Sequence, residues 1–173
     1  MAPALTLPLI PIPGWLTAFQ TAVNLAAMQG IANGVNPAGS TVNCGNIIDA
    51  AIDRLNGTDA NAVAPAGTDG SFTEIETRHH TTLQWGSNFS DAFDAVRNGG
   101  DGTIAVVGIE YSGGTASHVV VLANDHGTVG IIEGQDWGAG NPREVITDPA
   151  HADARYNSDG GSNIGFGIVG SNP

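Results

Sequence analysis

The chain has 173 residues, of which 41% are hydrophobic, and this is enough for one domain over residues 1–173 with a core of its own. It carries 17 acidic residues against five arginines and no lysine, which gives a formal net charge of −12. Because contacts with phosphate groups need lysine or arginine, this balance argues against nucleic-acid binding and against docking on anionic membranes. A basic partner is favoured, since opposite charges speed encounter.

The first 48 residues contain no charged side chain. Their apolar start lacks the positive residues of a conventional signal peptide. Prolines at positions 8, 11 and 13 interrupt it, so it also lacks the roughly 20 consecutive apolar residues of a membrane span. We therefore predict an extended, proline-rich arm over residues 1–14 without membrane insertion, followed by a helix near Leu16–Ala32.

A second helix is predicted from a clear amphipathic pattern. Its apolar residues recur at helical spacing and are Ile47, Ile48, Ala51, Ile52 and Leu55. Asp49, Asp53 and Arg54 fall on the opposite face, and Gly57 is a stop signal. Cys44 therefore lies at or just before the N-terminus of this helix.

The remainder of the chain changes from helical to strand periodicity. Residues 58–88 are polar and read as irregular, with a short strand at Phe72–Glu76, and a third helix is predicted near Phe89–Arg97. Valine- and isoleucine-rich runs then predict strands at Thr103–Tyr111, His118–Ala123, Thr128–Glu133, Arg143–Ile146 and Ile164–Val169. Residues 148–163 read as a polar loop. Helices before strands indicate an α+β fold with an antiparallel sheet packed against helices.

The chain has one cysteine, so an internal disulfide is impossible and the thiol is either a buried apolar group or a reactive one. A helix N-terminus stabilises a thiolate, which is the attacking form. The amide of Asn43 and the backbone N–H of Cys44 are candidate donors to an oxyanion. These features make Cys44 a candidate nucleophile.

A candidate general base is His118, which opens an apolar strand. The next strand forms a hairpin with it and ends in Glu133-Gly134-Gln135-Asp136. A hairpin places this group beside the imidazole, where an acid or amide orients the ring and stabilises its charged form. Glu133, Gln135 and Asp136 are all candidates for this third role.

Three stretches resemble papain-fold cysteine proteins, and more narrowly the papain-fold toxin domains of bacterial polymorphic toxin systems. They are Asn43-Cys44-Gly45 with the helix up to Leu55, Ser117-His118-Val119-Val120-Val121, and Gly130-Ile131-Ile132-Glu133-Gly134-Gln135. In that family the corresponding motifs read Asn-Cys ahead of Asp-Arg-x-Leu, Gly-His-Val and Asp-Gly-Gln. Here Ser117 replaces the glycine and Glu133 replaces the aspartate. The resemblance covers roughly Val42–Asp136.

The resemblance implies a papain-like α+β fold and a bacterial effector toxin that acts on an amide or thioester carbonyl, as a peptidase, glutamine deamidase or acyl transferase. It also implies a protein or peptide substrate, secretion or delivery into a target cell, and a cognate immunity protein. Two alternatives use the same residues differently: a peptidoglycan amidase or endopeptidase, and a non-enzymatic binding module with a structural cysteine.

No cofactor or metal is expected. The five histidines show none of the spacings typical of zinc ligands, and they are His79, His80, His118, His126 and His151.

Overall fold

A computed structural model describes residues 11–114 and 116–172. Its centre is a six-stranded antiparallel sheet with the strand order β1-β6-β2-β3-β4-β5. The strands are β1 (Gln84–Ser87), β2 (Ile104–Glu110), β3 (Ser117–Asp125), β4 (Thr128–Glu133), β5 (Glu144–Ile146) and β6 (Asn163–Ile168). The helices are α1 (Gly14–Gly34), α2 (Cys44–Leu55), α3 (Phe72–Arg78), α4 (Phe89–Gly99) and α5 (Pro149–Tyr156). The predicted α+β class with an antiparallel sheet is confirmed.

The central strands β2, β3 and β4 are apolar on both faces because helices cover each side of the sheet. On one side, α1 and α2 pack Met28, Ile48 and their neighbours against alternate strand residues such as Val121. On the other side, α4 and α5 pack Phe93 and Tyr156 against the intervening residues. The period of two along each strand thus divides the interior into two clusters.

Strand β3 is longer than its partner β4, and this difference leaves the start of β3 unpaired on one side. Its pairing with β4 begins only at Val121, whereas its pairing with β2 continues to Ser117. The backbone between Ser117 and Val120 therefore has a free edge on the β4 side, and the N-terminus of α2 meets this edge.

Two predictions of local structure were wrong. The short strand expected at Phe72–Glu76 is helix α3, because Ser71 and Glu74 form a capping box in which each side chain accepts from the other's backbone N–H. The loop expected over residues 148–163 contains α5, which Asp148 caps by accepting from Ala150 N at 2.9 Å. Strand β1 was not predicted.

The long helix near the start is confirmed as α1, but most of the proline-rich arm predicted over residues 1–14 lies outside the described residues. Within the described part of the chain, no helix combines the length and the apolar character that crossing a membrane requires.

Candidate active site

Cys44 is the first residue of α2, and its thiol is half-buried. The backbone N–H groups of Val119, from the free edge of β3, and of Gly45 hydrogen-bond its sulfur. A side chain at position 45 would not fit, because a Cβ there would lie 2.6 Å from the carbonyl oxygen of Asp69. Gly45 therefore lets the start of α2 approach the 69–71 segment closely.

The pKa of the Cys44 thiol is lowered despite its environment. Burial alone would raise this pKa, since it disfavours the thiolate. A hydrogen bond from His118 and the positive charge of its ring oppose burial, and the two backbone donors add to them. These interactions shift the balance toward the thiolate, which is the attacking form of a cysteine nucleophile.

His118 joins Cys44 to Glu133. Its Nε2 lies 2.7 Å from Oε2 of Glu133, which leaves Nδ1 as the ring nitrogen for the thiol. Both side chains are almost fully buried, with 3% and 1% of their surface exposed. Burial alone would lower the pKa of His118, but the carboxylate of Glu133 and the contact with Cys44 raise it to about 9.

Glu133 is held by donors on both of its oxygens. Oε1 accepts from the backbone N–H of Gln135 at 2.7 Å, and Oε2 accepts from the phenol of Tyr156 at 2.9 Å. The guanidinium of Arg155, only 2% exposed, lies 3.9 Å from Oε2. Burial would raise the pKa of Glu133, but the charge and hydrogen bond of His118, the backbone N–H of Gln135 and the charge of Arg155 lower it. The carboxylate therefore stays ionised inside the protein.

Aromatic rings fix the plane of the imidazole. Trp137 packs edge-on against the His118 ring with 4.7 Å between centroids, and Tyr156 lies 5.8 Å away. Arg155 covers the Trp137 ring at 5.4 Å. These contacts restrict rotation of His118, so both of its hydrogen bonds are prepared before a substrate arrives.

Gln135 and Asp136, the other two candidates for orienting His118, form hydrogen bonds elsewhere. Gln135 is buried, and its amide oxygen accepts from Trp137 Nε1 at 3.0 Å. Asp136 is exposed, and its carboxylate accepts from the backbone N–H of Gly138 at 2.8 Å. Of the three adjacent residues, Glu133 is the one in contact with His118.

Asn43 is fully buried and occupied by structural hydrogen bonds. Its Nδ2 donates to Oδ1 of Asn36 at 3.1 Å and to the carbonyl of Pro65 at 2.8 Å. Its Oδ1 accepts from Gln135 at 3.3 Å. Both amide hydrogens are thus committed to holding the loops around α2, although we expected this amide to serve an oxyanion.

Cys44 and His118 open onto a cleft of about 620 Å³. Its walls come from the 69–72 segment, from the loop after β2 and from the chain around Gly161. Tyr111 lines this cleft, and its hydroxyl oxygen is buried without a hydrogen-bond partner among the described residues. Burial and the nearby Glu133 raise the pKa of Tyr111, so its hydroxyl remains a donor.

Sequence reasoning missed Tyr111, Arg155 and Tyr156. The local signal for α5 was present, since Asp148-Pro149 is a helix-start pattern. Nothing local indicated that the end of this helix would reach Glu133.

One group of possible metal ligands lies at the opposite end of β3. Asp101, Asp125 and His126 bring their ligand atoms within 4.8 Å of one another. The three residues already hydrogen-bond one another. Asp101 accepts from the backbone N–H of His126 at 2.6 Å, and Asp125 lies 2.7 Å from the imidazole of His126. The cluster is accounted for as the closure of the β3–β4 turn.

Comparison with known proteins agrees with this geometry. A family described as papain fold toxin 1, glutamine deamidase, matches residues 42–137, which is more than half of the chain. The matched segment includes Cys44, His118 and Glu133 and ends before Tyr156. No curated protein matches the chain. The structure also has the arrangement of papain-like proteins, with a cysteine on a helix and a histidine on a strand. The chain belongs to the papain-fold toxin family of glutamine deamidases.

Proposed function

We propose that this toxin hydrolyses the side-chain carboxamide of a glutamine in a target protein and leaves a glutamate. Cys44 is the nucleophile, His118 the general base and acid, and Glu133 the residue that orients and charges the imidazole. The observation that carries this proposal is the continuous hydrogen-bonded series from Cys44 through His118 to Glu133, which opens onto a cleft in a family of deamidases.

In the first half of the reaction, the Cys44 thiolate attacks the carboxamide carbon and the carbonyl oxygen becomes an oxyanion. His118 then donates its Nδ1 proton to the departing nitrogen. Ammonia leaves, and the glutamyl group remains on sulfur as a thioester. The raised pKa of His118 keeps this proton available at neutral pH.

In the second half, neutral His118 accepts a proton from water, and the resulting hydroxide attacks the thioester. Collapse of this intermediate breaks the carbon–sulfur bond and releases the glutamate side chain. His118 keeps the proton that it took from water, so the active-site pair is again thiolate and imidazolium, and the new carboxylic acid loses its proton to solvent. Glu133 stabilises the charged ring each time it forms and does not itself need to accept the proton.

The oxyanion needs donors, and Asn43 is already committed. The backbone N–H of Cys44 is one, since it belongs to the first turn of α2, where backbone N–H groups have no intrahelical acceptor and Asn43 gives no side-chain cap. Tyr111 is the second, because this residue lines the cleft and its buried hydroxyl has no partner in the described part of the chain.

Membership of a toxin family supports delivery into a target cell and action on a protein there. A cognate immunity protein that blocks the cleft is part of the proposal. The cleft rim includes the carboxylates of Asp69 and Glu110, of which Asp69 is paired with Arg78 at 2.6 Å. This rim suits a basic segment on the substrate or on the immunity protein.

Expression in bacteria tests the toxin assignment. Wild type and Cys44→Ala are produced in the cytoplasm and, with an added export signal, in the periplasm. The proposal expects growth arrest in the cytoplasm by wild type alone. Arrest confined to the periplasm, with release of soluble cell-wall fragments, would favour the peptidoglycan amidase. Equal arrest by both forms would favour the non-enzymatic binding module.

A further inference from the structure

Helix α1 has apolar side chains on two opposite faces. Its inner face buries Met28 and Ala32 against the sheet, together with the polar Asn24. At 100° per residue, Trp15, Phe19 and Val23 lie on the other side of the helix. These three side chains are 72%, 62% and 46% exposed.

The first half of α1 stands away from the body of the protein. Every residue from position 11 to position 23 is exposed. Eight large apolar side chains are exposed in the described residues, and five of them belong to this segment: Ile12, Trp15, Leu16, Phe19 and Val23. We call this group the outer face of α1. A continuous exposed apolar patch of this kind marks a contact surface.

We propose that the outer face of α1 is the contact between two copies of this chain, packed antiparallel along the exposed halves of their α1 helices. Helix α1 contains no charged residue, so it offers nothing that a charged partner or an anionic lipid headgroup would recognise. The partner surface must be uncharged and apolar, and the same face of a second copy has this character.

Size and shape fit an association of two helices. A large aromatic residue buries 150–250 Å², and the outer face has two of them besides three aliphatic side chains, so it covers roughly 600 Å² on each copy. The area buried on both copies together then reaches the lower end of the range for specific interfaces. Ala22 and Ala26 lie between the large side chains on the same side of the helix. Such small residues give the large side chains of a facing helix space to pack.

Charge explains the antiparallel orientation. Each copy carries a formal net charge of −12, and all of it lies beyond residue 48. In an antiparallel pair the charged bodies sit at opposite ends of the joined helices. The exposed half of α1 is about 15 Å long at 1.5 Å per residue, which exceeds the Debye length of about 8 Å at physiological salt. The pair should therefore tighten as salt rises, since salt screens the remaining repulsion.

Sedimentation velocity of the full chain over a range of concentrations tests this proposal. We expect a concentration-dependent dimer that Phe19→Glu converts to a monomer. Thr17→Glu is the matched control, because it places the same charge on the exposed half of α1 but on the side away from the outer face, and it should remain dimeric. Val23→Glu is a second disrupting variant in case the first does not fold, with circular dichroism as the check.

Several results would overturn the proposal. These are a wild-type monomer at every concentration, a dimer that survives both Phe19→Glu and Val23→Glu, and a monomer that instead floats with neutral phosphatidylcholine vesicles. The outcome is independent of the reaction, because no residue of the outer face lines the cleft. Iodoacetamide should label Cys44 at the same rate in the disrupting variants.

Discussion

The phenol of Tyr156 donates a hydrogen bond of 2.9 Å to Oε2 of Glu133, the same oxygen that holds His118 at 2.7 Å. Tyr156 ends helix α5 and lies beyond the segment that matches the family. The C-terminal part of the chain therefore completes the support of the Glu133 carboxylate, and we infer that Tyr156 is a positioning residue.

Replacing Tyr156 by Phe should lower kcat about tenfold, which corresponds to about 1.4 kcal/mol of lost transition-state stabilisation. The ring still packs beside His118, but Glu133 loses the donor that fixes its orientation. Unfolding in urea should show a loss of about 1–2 kcal/mol, the usual cost of removing one partner of a buried hydrogen bond. An unchanged kcat with only the stability loss would reduce Tyr156 to a structural residue.

Tyr111→Phe is the matched comparison and should lower activity without lowering stability. The Tyr111 hydroxyl is buried and has no partner among the described residues, so its removal should leave the free energy of unfolding unchanged or slightly higher. If this hydroxyl serves the oxyanion, kcat should fall by about 10²-fold, with little change in KM. A destabilised variant with normal kcat would contradict this role.

The lowered pKa of Cys44 predicts how the rate of thiol alkylation changes with pH. Wild-type Cys44 should react with iodoacetamide at lower pH than an ordinary thiol, because the hydrogen bond and charge of His118 lower its pKa against the effect of burial. In His118→Ala the charge and hydrogen bond of the ring are lost while burial and the two backbone donors remain, so the half-maximal rate should move to higher pH. The rate is measured by mass spectrometry, and Cys44→Ser is the blank, since the chain has one cysteine. Superimposable pH profiles would show that His118 does not activate the thiol.

Stability should also depend on pH through His118. Its pKa is raised from 6.5 to about 9 in the folded protein, so the stabilisation is complete below pH 6.5 and is lost as pH rises through 9. Cys44 acts in the opposite sense, since its pKa is lowered, and the Cys44→Ala background removes this contribution. In that background Glu133 still raises the pKa of His118, but the contribution of Cys44 is lost, so the free energy of unfolding should fall as pH rises from 6.5 toward 9 by less than about 3 kcal/mol.

Adding Glu133→Gln to this background should flatten the same curve, because the neutral amide no longer raises the pKa of His118. Urea denaturation at several pH values gives the comparison. A slope that persists in the double variant would locate the titrating group elsewhere.

Sequence patterns were sufficient for the parts of the site that rest on long periodic elements. Helix α2 and strand β3 have strong apolar periods, and these placed Cys44 and His118 at the ends of their elements. The residue that orients His118 was ambiguous, because three polar residues lie within four positions. Strand β4 ends at Glu133, and the side chains of Gln135 and Asp136 instead accept hydrogen bonds from Trp137 and Gly138.

What could not be predicted depends on contacts between distant residues. The amide of Asn43 was a reasonable oxyanion donor until Asn36 and Pro65 were seen to accept its hydrogens. Helix α3 is short, so the only sequence signal for it was one capping box. The strand-forming residues Phe72 and Ile75 favoured a strand more strongly. Helix α5 likewise had only a start signal, and the reach of Tyr156 to Glu133 is a property of the folded chain.

The most direct test of the central claim is a proteome-wide search for glutamine-to-glutamate conversion in cell extract incubated with the purified chain. The account predicts that wild type converts glutamine at a small set of sites in one or a few proteins, with equimolar release of ammonia, and that Cys44→Ser converts none. Wild-type extracts that show cleaved peptide bonds, or no conversion beyond the Cys44→Ser background, would contradict it.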